Sequence, residues 1–311
     1  MRALVTGGAG FIGSHVVDRL IEEGYDVTAV DNLEEGHLEN VAHLKNERRF
    51  RFVKGDLRDE KGIRKVVQGN DVVFHLAAHA NIRKSLVDHK ADLEHNLVGT
   101  INLLEGMVEH GVKDMVFASS SAVYGEATLM PTPEDYMPIQ TSLYGASKLA
   151  CESYLQAFAK FSPIRSWSFR FANVVGERCR RGVVWDFVHK LRENPKRLEI
   201  LGDGKQSKEY LYVSDCVEGI MTGYRKTGGH SEAFNLGLER QTLVDEVADI
   251  VEEEMGLKGV SRSYTGGVGG WIGDNPKVVL SISKMKALGW APTTPPDEAL
   301  RATARWAISN P

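Results

Sequence analysis

One stretch near the start of the chain restricts its fold more than any other: Gly7-Gly8-Ala9-Gly10-Phe11-Ile12-Gly13. It stands between a short apolar run, Ala3–Thr6, and a helical pattern that begins at Ile12. A strand, a glycine turn and a helix in that order form the context of a dinucleotide site. Bare backbone lets the chain turn tightly and lets a pyrophosphate approach the helix N-terminus, where orphan N–H groups and the helix dipole favour negative charge. Gly7, Gly10 and Gly13, with Phe11 and Ile12 at the helix start, are the first candidate cofactor-binding residues.

The segments around this turn alternate. Asp26–Val30, Phe50–Val53, Val72–Leu76, Met115–Ser119 and Ile164–Phe171 read as strands. Ile12–Glu23, Glu60–Val67, Val87–His110 and Tyr144–Phe161 read as helices. Strands that keep returning through helices are parallel, and right-handed crossovers wind them into a doubly wound sheet. The expected fold class is therefore α/β: a Rossmann sheet followed by a smaller mixed α/β domain. Past residue 172 helices (Val183–Glu193, Ser214–Lys226, Thr242–Met255, Pro296–Ile308) mix with short strands (Arg197–Leu201, Glu209–Val213) and glycine-rich turns. Ser214 or Asp215 is the expected cap of the second of those helices. This divides the chain into a dinucleotide-binding domain, 1–172, and a substrate domain, 173–311, parts of which can return to the sheet.

Three groups of side chains carry chemistry. Asp31-Asn32 ends the second strand, 18 residues after Gly13. An acid there accepts from an adenosine ribose and repels a 2′-phosphate, which selects NAD over NADP. Asp56-Leu57 follows the third strand and is a weaker candidate for the adenine. Tyr144 and Lys148 stand at i and i+4, so one helix face presents both. A free tyrosine titrates near 10, and bringing it to about 7 takes roughly 4 kcal/mol, which a nearby ammonium in a partly dry site can supply. Ser119-Ser120-Ser121 ends the fifth strand, and C-terminal strand ends line the ligand crevice of a parallel sheet. A hydroxyl there can bond a reacting alcohol and pass its proton to the phenolate.

Composition excludes several classes. The chain has 311 residues with 38 Lys+Arg against 42 Asp+Glu, and 42% of it is hydrophobic. That balance argues against disorder and against a dedicated nucleic-acid binder. No run reaches the roughly 18 apolar residues of a membrane span, and the start does not read as a signal peptide. Cys151, Cys179 and Cys216 form no paired motif, consistent with reduced thiols and a cytoplasmic location. His75, His79, His89 and His95 follow no metal-ligand spacing, so no metal is expected. Arg178, Arg180 and Arg181 read as a solvated loop or a nucleotide contact.

The motifs together carry a resemblance. The glycine turn, spaced GxxGxxG, Asp31-Asn32, His75-Leu76-Ala77-Ala78, Asn96-Leu97-Val98-Gly99-Thr100, Ser119-Ser120-Ser121-Ala122-Val123-Tyr124-Gly125, Tyr144 to Lys148 and Arg170-Phe171-Ala172-Asn173 occur in order. The chain resembles the extended short-chain dehydrogenase/reductases, in the NAD-dependent epimerase/dehydratase group, and within it the UDP-glucose 4-epimerase-like proteins. The resemblance implies that Tyr144 is the base, that Lys148 lowers its pKa and holds the nicotinamide ribose, and that Ser120, four residues before Tyr124, meets the sugar 4-hydroxyl. It places Leu76, Ala77, Ala78, Asn96 and Ser119 along NAD, with Asn96 also a structural and proton-relay residue, and Ser121, Asn173, Val183, Lys208 and Val278 with the UDP-sugar. The implied reaction is oxidation at C4, rotation of the 4-keto sugar and return of the hydride to its other face. A homodimer packed through helices matching Val87–His110 and Tyr144–Phe161 is also implied, with Leu93, Leu97, Leu104, Leu149 and Leu155 on them.

Departures sharpen the expectation. Related dehydratases carry Asp-Glu where this chain has Ser121-Ala122, which favours epimerisation over elimination of water. Lys208 and Trp271 stand where the family often has phosphate-binding arginines, and lysine lacks the bidentate fork. Val278 aligns with a position that gates sugar size, and a small residue there leaves room for an N-acetyl group. The alternatives are a nucleotide-sugar 4,6-dehydratase, a net dehydrogenase, or a non-catalytic dinucleotide-dependent sensor.

Overall fold

Apolar runs that do not alternate become strands covered on both faces, and three of them organise this chain: Leu4 and its neighbours, Val72–His75 and Asp114–Ala118 are buried almost end to end. The computed structural model describes residues 1–228, 231–267 and 279–310. In chain order the elements are β1 (Arg2–Thr6), α1 (Phe11–Glu22), β2 (Asp26–Asp31), β3 (Phe50–Lys54), α2 (Glu60–Val67), β4 (Val72–His75), α3 (Ile82–Ser85), α4 (Gly99–His110), β5 (Asp114–Ala118), α5 (Leu143–Phe161) and β6 (Arg165–Phe171). Then follow β7 (Asn173–Val175), α6 (Val183–Glu193), β8 (Arg197–Ile200), β9 (Ser207–Lys208), β10 (Tyr210–Tyr212), α7 (Val213–Lys226), β11 (Glu232–Leu236), β12 (Thr242–Leu243), α8 (Val244–Glu254), β13 (Ser261–Tyr264), α9 (Ser283–Ala287) and α10 (Pro296–Ser309).

The main sheet has seven strands in the order β11-β6-β5-β4-β1-β2-β3, and every pair from β6 to β3 is parallel. Thr6 at the end of β1 pairs with Val30 on one side and His75 on the other. The strand order therefore reverses its growth at β1 and β4, the kind of switch point that opens a crevice at strand C-termini. The glycine turn sits there because it follows β1 directly. The expected doubly wound α/β fold is the observed one.

The chain divides into two compact units that interleave in sequence: 1–125, 138–170 and 220–234 form one, and 126–137, 171–219 and 235–311 the other. The first unit has a core in which Leu4, Val73, Leu103, Leu104, Met115 and Leu155 are fully buried. Leu104 and Leu155 are thus core residues, whereas Leu93 is half exposed. In the second unit Val188, Ile200, Val247, Leu300 and Ala304 lead a separate core built from α6, α8, α10 and β8.

Three local expectations change. The helix read over Val87–His110 starts only at Ala91 and is not regular: Leu93–Val98 is a wider π-helical turn that runs directly into α4 at Gly99. Its cause is visible, because the Asn96 carbonyl is engaged by the Thr100 hydroxyl at 2.6 Å as well as by a backbone N–H, and side chains that enter the ladder distort it. Asp215 lies inside the first turn of α7, and instead of capping it the carboxylate accepts from Thr293 N and Oγ1 and from Thr294 N. Thr242 and Leu243 belong to a short strand, and α8 starts at Val244.

Candidate active site

The glycine turn is held so closely that side chains cannot enter it. A Cβ on Gly13 would lie 2.0 Å from the Gly7 carbonyl oxygen, so α1 rests on the turn itself. Gly7 has φ +66°, and a Cβ there would meet the Ala77 nitrogen at 2.7 Å. On Gly10, by contrast, a Cβ would find only the Gly7 carbonyl group within 4 Å. Gly10 is the N-cap of α1 and supplies no side-chain acceptor, so the first N–H groups of the helix are not capped by it.

Beside this turn the Asp31 carboxylate accepts from Ala9 N at 3.1 Å and Leu33 N at 2.8 Å, which aims it without using all its lone pairs. Burial raises its pKa, only partly opposed by those bonds, so donors from ribose hydroxyls would be welcome there. The bare turn, the uncapped helix start and the buried acid fit a dinucleotide. Asn32 and Asp56 are neighbours, joined at 3.1 Å, and Arg58 clasps Asp56 strongly enough to hold its carboxyl far below the ordinary range. Leu57 is a core residue whose carbonyl accepts from Asn102 at 2.8 Å. Leu76 and Ala77 bond back to Thr6 through its carbonyl and hydroxyl, which fixes the loop opposite Gly7.

Asn96, buried in the π-helical turn, ties three segments. Its Oδ1 accepts His79 N at 2.7 Å, and its Nδ2 donates to His79 O at 3.0 Å and to Ser147 Oγ at 2.9 Å. Ala78 precedes His79, so the loop and α5, which carries Tyr144, are held by one amide. His75 is sandwiched between the Thr6 and Thr100 hydroxyls at 2.7 and 2.9 Å, and burial together with Lys148 pushes it down to about 3. It is a neutral structural bridge. His79 pairs with buried Asp92 at 2.9 Å, and His95 faces Arg58 at 2.9 Å.

Tyr144 and Lys148 share a face of α5, whose N-cap Ser142 accepts from Gly145 N at 3.0 Å. Lys148 is 2% exposed, and its Nζ donates to Ala118 O, at the end of β5, at 2.7 Å. The ammonium is 6.0 Å from the Tyr144 ring centroid and 4.8 Å from that of Phe117. Burial pushes Lys148 down to about 8, against the opposing pull of Cys151, Glu152 and Asp92. The group is thus charged at neutral pH yet close to titrating. Ser120 caps a short 3-10 turn, Ser121–Tyr124, by accepting from Ala122 N at 3.1 Å; its own O–H remains a donor for another group. The Ser119 hydroxyl is committed to Glu152. Ser121 begins the same turn and is half-buried.

In the second unit, Asn173 opens β7 and donates to Glu209 O at 3.2 Å, while Lys208 pairs with Thr242 across β9 and β12. Val183 starts α6. The Arg180 guanidinium lies 5.3 Å from the Trp306 ring centroid. Val278 and Trp271 lie outside the described residues. A cavity of about 330 Å³ lined by Arg2, Arg49 and Lys65 opens where β1, β2 and β3 begin, the opposite strand end from the glycine turn, and takes no part in this site.

Sequence reasoning gave no role to Glu152, and quoted Arg170 only within a motif; they are bonded to each other and to Ser119 and Tyr124. A signal existed for the first: Tyr144, Lys148 and Glu152 recur at i, i+4 and i+8 on one helix face.

The description "NAD dependent epimerase/dehydratase family" fits residues 3–237. A putative UDP-glucose 4-epimerase of Methanocaldococcus jannaschii is 35% identical over 99% of this chain and 98% of its own. A crystal structure of a UDP-galactose 4-epimerase is 39% identical over 99% of both chains, with a TM-score of 0.89. The dTDP-glucose 4,6-dehydratase DesIV from Streptomyces venezuelae, solved as a double mutant with NAD bound, is 28% identical over 100% of this chain and 98% of its own, with a TM-score of 0.92.

Proposed function

Because the chain belongs to the NAD-dependent epimerase/dehydratase family, we propose that it is a nucleotide-sugar 4-epimerase acting on UDP-glucose and UDP-galactose. The observation that carries the reading is the placing of Tyr144 and Lys148 on one face of α5, with the ammonium bonded to the last residue of β5, two residues before Ser120. Bound NAD would supply the reversible hydride-accepting chemistry that oxidation at C4 requires. Gly7, Gly10, Gly13 and Asp31 would hold it, with Asn32 and Asp56 near the adenosine end and Leu76, Ala77, Ala78 and Asn96 along its length.

Everything else is the work of the chain. Ser120 donates its free O–H to the sugar 4-oxygen, since its lone pair already accepts from Ala122 N. The Tyr144 phenolate takes the 4-hydroxyl proton and later gives it back. Lys148 supplies the positive charge that makes the phenolate accessible near neutral pH: a Coulomb term of a few kcal/mol at short range matches the roughly 4 kcal/mol needed. Asn173, Val183 and Lys208 are assigned to the nucleotide diphosphate, and Val278 to the size limit on the sugar, which makes UDP-GlcNAc/UDP-GalNAc the second substrate pair. Among the described residues no helix is long and apolar enough to cross a membrane. A cytoplasmic homodimer is part of the proposal, and exposed Leu93, Val98, Tyr154 and Phe161 on the relevant segments support it.

A second reading, the 4,6-dehydratase, draws on the likeness to DesIV. It lacks a carboxyl pair at Ser121-Ala122, in the turn capped by Ser120. One experiment separates the two. Purified protein is given UDP-glucose, UDP-galactose and their N-acetylhexosamine analogues without added NAD, and products are read by proton NMR while absorbance at 340 nm is followed. A C4 epimer without accumulating NADH is expected. A 4-keto-6-deoxy sugar would replace the epimerase by the dehydratase, and no turnover, even with NAD and other nucleotide sugars, would favour the sensor.

A further inference from the structure

A buried polar network lies behind the base pair, and none of the roles assigned above uses it. Glu152 stands one helical turn beyond Lys148 on α5 and is 3% exposed. Its Oε1 accepts from the Ser119 hydroxyl and from Arg170 Nε at 3.0 Å, and its Oε2 accepts from Arg170 Nη2 at 2.6 Å. Arg170 Nη1 then donates to the Tyr124 hydroxyl at 2.8 Å, with the guanidinium 4.8 Å from the Tyr124 ring centroid. Successive turns of α5 are thus tied to successive residues of one strand end: Lys148 to Ala118, Glu152 to Ser119. The next residue along is Ser120, and Tyr124 closes the turn that Ser120 caps.

We propose that Glu152, with Arg170 as its counter-ion, is a positioning residue for the Tyr144–Lys148 pair: it sets the register of α5 against the end of β5 and keeps a negative charge beside the buried ammonium. The inference rests on the reading of Tyr144 and Lys148 as base and cation. Stability alone does not account for such a pair, because apolar residues of similar volume often do as well or better in a protein interior. Geometry and charge do account for it. The groups facing Lys148 are Cys151, Glu152 and Tyr144 from its own helix, His75 from β4, and Asp92 with its partner His79. Arg170 reaches the cluster through Glu152.

Replacing Glu152 by Gln removes the negative charge and leaves Arg170 uncompensated. Both changes disfavour the ammonium, so Lys148 loses its proton at lower pH. The expected result for Glu152→Gln is an alkaline limb of the kcat profile moved about one unit toward acid, kcat at pH 8 down about fivefold and KM within about twofold. A Glu152→Met/Arg170→Met double variant leaves no unpaired buried charge. It is expected to regain the wild-type melting midpoint but not the wild-type pH profile, and it decides the matter even if the single variant fails to fold. A wild-type profile in either variant, or kcat recovered in step with the midpoint in the double variant, would overturn the proposal. Tyr144→Phe, measured alongside, separates the two levels. If it retains wild-type turnover, the functional reading falls and this inference with it. If it is inactive while Glu152→Gln keeps the wild-type profile, this inference falls alone.

Discussion

Gly13→Ala is the sharpest probe of the cofactor cradle, because the structure sets its cost. The added methyl would sit 2.0 Å from the Gly7 carbonyl oxygen, where real contacts stay beyond 3.0 Å. Neither atom belongs to a flexible side chain, so the start of α1 has to lift off the turn by about 1 Å or more. That helix buries Val16, Val17, Leu20 and Ile21, and overpacking of this kind costs about 1–3 kcal/mol. For a chain of 311 residues the melting midpoint should drop by about 2–5 °C. The same displacement moves the N–H groups meant for the pyrophosphate, so the purified variant should also lose its NAD. Gly10→Ala is the milder comparison, since its methyl would meet the Gly7 oxygen at 3.1 Å, a tight contact that a shift of a few tenths of an ångström relieves, and has no other atom within 4 Å besides the Gly7 carbonyl carbon. It should melt within about 1 °C of the wild type yet retain less NAD. The assay is a calorimetric scan paired with quantification of NAD released by acid from each preparation. Wild-type melting and wild-type NAD content in Gly13→Ala would refute the close-approach argument outright.

Two other outcomes follow from the same geometry. Asp31→Ala should weaken NAD and narrow its advantage over NADP by about tenfold or more, because the acid that repels a 2′-phosphate is gone; unchanged relative affinities by titration would remove Asp31 from the adenosine site. In the wild type kcat should fall as pH rises through about 8, where the Lys148 ammonium is lost, whereas Lys148→Met should return Tyr144 toward 10, lower the rate at pH 7 by roughly 10²–10³ and make it climb with pH. A bell-shaped, wild-type-like profile in that variant would count against the ammonium as the cause of the tyrosine's basicity.

What could be read from the chain was local. The glycine turn, Asp31 at the next strand end, and the Tyr144–Lys148 spacing each lie within one or two turns of backbone, where periodicity alone says what faces what. What escaped depends on distant chain. Glu152 meets Arg170 because β5 and β6 are parallel neighbours, and Ser119 is bonded to Phe169 O across them. The π-helical turn at Leu93–Val98 buries Asn96, whose side-chain amide bonds residues 17 and 51 positions away, and no helical propensity records such partners. Leu104 and Leu155 show the converse problem: an apolar stripe fits a subunit contact and a core equally well, and here both are core. Asp215 carries a good capping signal, yet Thr293 and Thr294, nearly eighty residues on, claim its carboxylate.

The position of β11 bears on how the chain is made. The unit holding the glycine turn is completed only by residues 220–234, and the edge of its sheet beyond β6 is supplied by β11. As the polypeptide leaves the ribosome, β6 must wait about sixty residues for this neighbour, with its outward N–H and C=O groups unpaired. A fragment cut at residue 172 would keep that raw margin permanently. It is expected to self-associate even though every glycine, acid and base of the cofactor site is present. An excised dinucleotide-binding piece that stays soluble therefore needs the late segment stitched back, by a short linker from β6 to β11.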